Sequence, residues 1–259
     1  MSNYSFGKFV WFEIKTRTPA EAQAFYTELL PWTTADMPFP GGTYTLLKSR
    51  ERQIGGIAPF DDNTPAEVPP HWLSWISVED VDATAAAVTA NGGTVLAGPM
   101  DMPDMMRMAF CADAEGAPFA IMRSTTGDPP DTDSYPGIFY WNELFATDAA
   151  KAAAFYAAVF GYEVEEMDMA KMGGTGTYRM LKTGGKMRGG IMQKPQPEIP
   201  SMWLPYVHVE DLDATAAIAT SGGAQQPMGV VQMPGMGRFT TLIDPSGAAF
   251  ALVQPATTD

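Results

Sequence analysis

Two tryptophans each precede a glutamate with one residue between: Trp11-x-Glu13 and Trp141-x-Glu143. If these stretches are strands, alternation puts each indole and carboxylate on one face. A carboxylate beside an aromatic wall suits proton transfer to a bound molecule, or the anchoring of one polar group of an apolar ligand. The chain holds 2 histidines, His71 and His208. A carboxylate can orient an imidazole and tune its pKa, so Glu13, Glu143 and His208 are the candidate catalytic residues. The plainer alternative is that His208 is a hydrogen-bonded sheet residue and that the glutamates satisfy backbone donors. His71, between Pro70 and Trp72, reads as a surface residue at a loop end. Arg107 and Arg238 recur near the end of each half, where a guanidinium could clamp a carboxylate or phosphate, or pair with an acidic neighbour. Tyr44 and Tyr178 also recur, and Trp75 and Tyr206 occupy matching strand positions. With Trp11 and Trp141, these arginines and aromatics are the candidate ligand contacts.

The elements that must position these residues are written twice. Val78-Glu79-Asp80-Val81-Asp82-Ala83-Thr84 returns as Val209-Glu210-Asp211-Leu212-Asp213-Ala214-Thr215, and Phe25-Tyr26 returns as Phe155-Tyr156. Gly55-Gly56-Ile57 matches Gly189-Gly190-Ile191, and Asp113-x-x-Gly116 matches Asp244-x-x-Gly247. The offset is about 130 residues, the length of a whole structural unit. The polar, Pro- and Asp-rich stretch Ser124–Ser134 separates the copies, giving halves at residues 1–127 and 135–259. Each half divides again, at Asp61–Pro70 and at Lys194–Pro200. Each quarter opens with a strand, continues into a helix and ends in short strands, so the chain reads as β-α-β-β-β four times, an α+β fold. Thr18, Pro19 and Glu21 have the spacing of a capping box, and Asp148 can cap the corresponding second helix. Asn91-Gly92-Gly93 stops the helix over Asp82–Ala90. Met100–Met106 and Met233–Gly237 read as Met-rich loops able to cover an apolar ligand.

Composition bounds the role. With 46% hydrophobic and 18% charged residues the chain can bury a core, and a net charge of −14 argues against nucleic acid and anionic membranes. A single cysteine, Cys111, allows no internal disulfide. Met1–Lys8 lacks a basic region followed by an apolar one, and no apolar run reaches membrane-spanning length, so a cytoplasmic protein is expected.

The strand-loop-helix from Trp11-Phe12-Glu13-Ile14 to Ala24-Phe25-Tyr26, the Val-Glu-Asp-x-Asp-Ala-Thr helix starts and Asp244-Pro245-Ser246-Gly247 resemble the vicinal-oxygen-chelate superfamily. That superfamily includes glyoxalase I, extradiol dioxygenases and bleomycin-resistance proteins. The chain is most similar to its actinobacterial culture-filtrate-antigen and hydroxylase-like branch. The resemblance covers nearly the whole chain. It implies two tandem glyoxalase-like halves forming a pseudo-two-fold fused dimer, with curved mixed sheets around cavities. It implies sites shared between the first and fourth quarters and between the second and third. His208 would then approach Trp11 and Glu13, and Ser77 would approach Trp141 and Glu143. A fused dimer is expected to be a monomer, with a homodimer as the alternative.

The superfamily's divalent metal sits at strand positions that fall here on Trp11, Leu73 and Ala120, on Trp141, Leu204 and Ala251, and near Gly55 and Gly189. None of these side chains is a metal ligand. The first expectation is therefore a metal-free protein without a cofactor, binding a small aromatic or apolar molecule. The alternative is an enzyme acting on a small carbonyl or hydroxylated substrate, with Glu13 and His208 as acid and base. A metal-dependent lyase, isomerase or dioxygenase, and a purely structural protein, are the remaining readings.

Overall fold

In β1 (Phe9–Thr16) the apolar Val10, Phe12 and Ile14 alternate with Trp11, Glu13 and Lys15. A period of two gives this strand one face for a core and a second, chemically different face. The computed structural model describes residues 3–39, 42–172 and 174–256. After β1 come α1 (Pro19–Leu29), β2 (Trp32–Phe39), β3 (Gly42–Ser49) and β4 (Arg52–Pro59). The plan repeats in β5 (His71–Ser77), α2 (Val81–Ala90), β6 (Thr94–Met102), β7 (Met106–Ala112) and β8 (Pro118–Ser124). The second half follows suit. It has β9 (Phe139–Ala146), α3 (Ala149–Phe160), β10 (Glu163–Asp168), β11 (Thr177–Thr183) and β12 (Lys186–Gln193), then β13 (Met202–His208), α4 (Leu212–Ser221), β14 (Val231–Met233), β15 (Gly237–Ile243) and β16 (Ala249–Pro255).

Each half builds one eight-stranded mixed sheet, ordered β2-β3-β4-β1-β5-β8-β7-β6 and β10-β11-β12-β9-β13-β16-β15-β14. β1 runs parallel to β4 and β5 parallel to β8, while the hairpins are antiparallel. The Gly7 N–H bonds Ser77 O at 2.8 Å and the Ser77 N–H bonds Lys8 O at 2.9 Å, joining the start of β1 to the end of β5. Gly137 and Ile138 make the equivalent bonds to His208, at 2.7 and 2.9 Å. The fold is α+β, four β-α-β-β-β repeats in two tandem halves.

Compactness follows a different division from the sheets. One unit comprises Met1–Val10, Leu73–Asp131 and Trp141–Trp203; the other comprises Trp11–Trp72, Thr132–Tyr140 and Leu204–Asp259. Each is centred on a buried tyrosine from the repeated Phe-Tyr pair. Trp72 Nε1 donates to the Tyr26 hydroxyl at 2.9 Å, and that hydroxyl donates to Asp244 Oδ2 at 2.8 Å. Asp244 Oδ1 accepts the N–H groups of Ser246, Gly247 and Ala248. In the other unit Trp203 donates to Tyr156 at 2.8 Å and Tyr156 to Asp113 at 3.2 Å. Burial first, and then the neighbouring carboxylate, push both phenols well above their ordinary pKa, so they stay neutral donors. The repeated Phe-Tyr and Asp-x-x-Gly motifs are thus two ends of one buried relay.

Asp80, Asp148 and Asp211 cap α2, α3 and α4 through the N–H groups of Ala83, Lys151 and Ala214. The capping box expected at Thr18 does not form. Thr18 makes no side-chain cap bond, and its N–H donates instead to Thr16 Oγ1 at 3.2 Å. The first Met-rich loop is also corrected: Met100 and Met102 lie in β6, paired with Met108 and Met106. Gly98-Pro99 had hidden that strand, which β7 holds across two register shifts. In the second half Met233 ends β14 and Gly237 opens β15, leaving only a short turn. The linker is anchored by Asp131, which lies 2.9 Å from Lys8, 2.7 Å from Lys186 and 2.9 Å from Arg188. Burial raises its pKa, but these three cations outweigh that and hold it far below the usual carboxylate range. Among the described residues no helix is long and apolar enough to cross a membrane.

Candidate ligand site

The face of β1 opposite the core carries Trp11, Glu13 and Lys15. Trp11 Nε1 donates to the Tyr44 hydroxyl at 2.8 Å, and that hydroxyl in turn hydrogen-bonds Glu13. Glu13 is only 4% exposed. Burial, and then the Glu13 charge, push the Tyr44 phenol far above its ordinary pKa, so its proton stays on oxygen and points at the carboxylate. The second half repeats the arrangement. Trp141 Nε1 donates to Tyr178 at 2.8 Å, and Tyr178 hydrogen-bonds Glu143, which is 7% exposed.

Two glycines make this geometry possible. Glu13 pairs with Gly56 across β1 and β4, and Leu46 pairs with Gly56 from β3, so all three share a face. Tyr44 lies across Gly56, and a Cβ there would fall on its hydroxyl. Gly190 has the same relation to Tyr178. A Cβ on Gly55 would overlap the Phe12 carbonyl, and one on Gly189 would meet the Asn142 carbonyl at 2.9 Å. The repeated Gly-Gly pair is therefore a clearance for the strand on one side and for the tyrosine on the other.

The two copies differ at the next position along the same face. Lys15 Nζ lies 3.3 Å from Glu13 Oε1, close enough for charge pairing but outside hydrogen-bond geometry. That oxygen is buried with no hydrogen-bond donor. Phe145 takes the place of Lys15 in the second half. Sequence reasoning passed over Lys15, although the break in the repeat marked it.

Other expected residues are placed differently. Glu13 and His208 do not meet. His208 Nδ1 bonds Ser134 Oγ at 2.7 Å and its ring packs edge-on to Tyr140. The first and fourth quarters do pack together, but through α1, where the Tyr26 hydroxyl donates to Asp244 at 2.8 Å and its ring meets Phe250 at 5.4 Å, while Phe12 stacks on Phe139 of the third quarter at 4.0 Å. Glu13 points the other way. Nor does Ser77 reach Glu143, since Ser77 Oγ has no hydrogen-bond partner. Arg107 is not a ligand clamp: it grips Asp82 with two bonds, 2.6 and 2.8 Å, and Asp101 at 3.0 Å. Arg238 holds Asp213 and Gln254, both at 2.9 Å. The second Asp of each Val-Glu-Asp-x-Asp motif is the guanidinium's partner, which explains why the two features recur together. His71 opens β5, half-buried against Phe60. Trp75 packs edge-on to Phe110 at 5.3 Å and Tyr206 against Phe239 at 5.6 Å. Burial pushes the Cys111 thiol up to about 12, which leaves it a poor nucleophile.

The positions that the resemblance gives to a divalent metal do not fit one. Trp11 and Trp141 offer only N–H groups, already donated to tyrosines. Leu73, Ala120, Leu204 and Ala251 have no lone pair to offer. Among the described residues no three His, Cys, Asp or Glu side chains gather to hold an ion.

A family model described as the Glyoxalase/Bleomycin resistance protein/Dioxygenase superfamily matches residues 8–121, and a glyoxalase-like domain model matches residues 142–253. CFP32 of Mycobacterium tuberculosis, a candidate glyoxylase, is 35% identical over 257 residues, covering 98% of this chain and 97% of that protein. The anthracycline biosynthesis protein DauV of Streptomyces sp. strain C5 is 29% identical over 98% of this chain and 95% of its own length. The Mn(II)-bound glyoxalase from Novosphingobium aromaticivorans shares the fold, with a TM-score of 0.65 at 14% identity over 96% of this chain and 82% of that one.

Proposed function

Because the chain belongs to the glyoxalase/bleomycin resistance protein/dioxygenase superfamily, we propose that it binds a small, largely apolar aromatic molecule without a metal, chiefly through its first half. The observation that supports this is the Trp11–Tyr44–Glu13 relay, in which an indole wall stands beside a buried carboxylate whose Oε1 still lacks a donor. A ligand hydroxyl reaching that oxygen would complete it while its ring packs on Trp11. DauV's part in anthracycline biosynthesis favours a ligand built of fused aromatic rings. The test is a tryptophan-fluorescence titration with a panel of small aromatic phenols and ketones. Binding in the micromolar range, weakened by Trp11→Ala, is expected; no response to the panel overturns the reading.

A second reading is enzymatic. Glu13 with Lys15 at 3.3 Å is a carboxylate–ammonium pair able to move a proton on a carbonyl or hydroxylated substrate. His208 has no part in it. Turnover lost in Glu13→Gln but kept in Glu143→Gln would favour catalysis over simple binding. Under either reading the partner is a small molecule, and a chain carrying both halves acts as a cytoplasmic monomer; sedimentation at dimer mass would contradict the last point.

A further inference from the structure

The face of β5 that carries Leu73, Trp75 and Ser77 continues across two more strands. Trp75 pairs with Ala120 and Ser77 with Met122. Ala120 pairs in turn with Phe110, and Met122 with Met108. Paired residues share a face, so two rows run side by side, Trp75–Ala120–Phe110 and Ser77–Met122–Met108. Met100 extends the second row onto β6. The Trp75 and Phe110 rings meet edge-on at 5.3 Å across the small Ala120, and methionine thioethers make up the neighbouring row.

Two hydrogen-bond donors on this strip are unused. Trp75 is 4% exposed and Ser77 is 0% exposed, yet neither Trp75 Nε1 nor Ser77 Oγ has a hydrogen-bond partner. A buried N–H or O–H without an acceptor has lost its water and gained nothing in exchange, so an acceptor brought to it is favoured. The other buried tryptophans, Trp32, Trp72 and Trp203, donate to Gly137 O, Tyr26 and Tyr156. The second half has changed both positions. Tyr206 replaces Trp75, and His208, already bonded to Ser134, replaces Ser77.

We propose that the Trp75–Ser77 strip of the first half takes the carbonyl oxygen of a flat aromatic ketone or quinone, with the Trp75 N–H and the Ser77 O–H as its donors. The methionine row grips the ring system, because unbranched polarizable side chains adjust to a flat hydrocarbon surface. This rests on the reading that the first half binds an aromatic molecule, and it adds the requirement for an acceptor oxygen. A site built around donors rejects an analogue that lacks the acceptor far more strongly than a purely apolar wall does.

The test compares 1-indanone with indane, which differ by the ketone oxygen, on the full chain. Binding is measured by calorimetry, and the indole N–H signals by proton–nitrogen correlation spectra, with Trp75 assigned from Trp75→Phe. The proposal expects indanone to bind at least tenfold more tightly than indane and to shift the Trp75 N–H downfield, with indane leaving it in place. Trp75→Phe and Ser77→Ala should each remove most of the preference without weakening indane. Equal binding of the two compounds, or a preference that survives both substitutions, overturns the acceptor site and leaves the general binding reading intact. Failure of both compounds to bind overturns the two together.

Discussion

The two halves share a relay and differ in what surrounds it. Trp11–Tyr44–Glu13 and Trp141–Tyr178–Glu143 have the same hydrogen bonds, the same 2.8 Å indole–phenol distance and the same glycine beneath the tyrosine. Lys15 beside Glu13 becomes Phe145 beside Glu143, and Trp75 and Ser77 become Tyr206 and His208. What is identical in both copies ties the first strand of each sheet to a tyrosine that lies across the glycine of a neighbouring strand. At or beside the positions that differ, the first half leaves Glu13 Oε1, Trp75 Nε1 and Ser77 Oγ without hydrogen-bond partners.

The sharpest test of the shared part is steric. Gly56→Ala and Gly190→Ala each drive a methyl into a tyrosine hydroxyl, and each should cost about 2–3 kcal/mol in urea unfolding. A half that tolerates its alanine does not contain the relay. Next come Tyr44→Phe and Tyr178→Phe, which strand an indole N–H and a buried carboxylate; each should lose about 2 kcal/mol. Unequal losses would show that the relays are not equivalent. Lys15→Phe then rebuilds the second half's site in the first. Because Lys15 is partly exposed, stability should change by about 1 kcal/mol, while affinity for an aromatic phenol falls about tenfold, a difference of roughly 1.4 kcal/mol. Unchanged affinity would mean that the lysine does not set the halves apart.

The smallest effect is acid sensitivity. Burial lowers the pKa of both His71 and His208 below 6.5, the value expected in the unfolded chain. Below pH 6.5 the unfolded chain takes up protons that the folded one refuses, so stability falls as pH drops through that range. His71 belongs to the first half and His208 to the second. His71→Gln and His208→Gln should each flatten the decline between pH 6.5 and lower values, and an unaltered slope in either would remove that histidine as a source.

The repeat carried most of the fold into view. Paired motifs about 130 residues apart marked the four quarters, and alternation along Phe9–Lys15 put Trp11 and Glu13 on one face. The relay itself is half visible in the sequence: Tyr44, Trp11, Glu13 and the Gly-Gly pair all recur, but nothing in one dimension says that Tyr44 crosses Gly56. The Glu13–His208 pair failed because two quarters can pack together without their functional faces meeting. Here they pack through Tyr26 and Asp244, while Glu13 lies on the face of β1 opposite Phe12. The arginines failed for a related reason. Asp82 and Asp213 come close to Arg107 and Arg238 only once the helix starts are set against the last hairpins.

The most direct measurement on the central claim, that ligand binding was built into one copy of a shared scaffold, is fluorine NMR of protein labelled with 5-fluorotryptophan. Its six tryptophans are assigned by single substitution, and 1-indanone is titrated in. The Trp75 signal is expected to move along a saturable isotherm while Trp141 stays still. Movement of Trp141 to the same extent and at the same concentration would contradict it, and so would signals that never move.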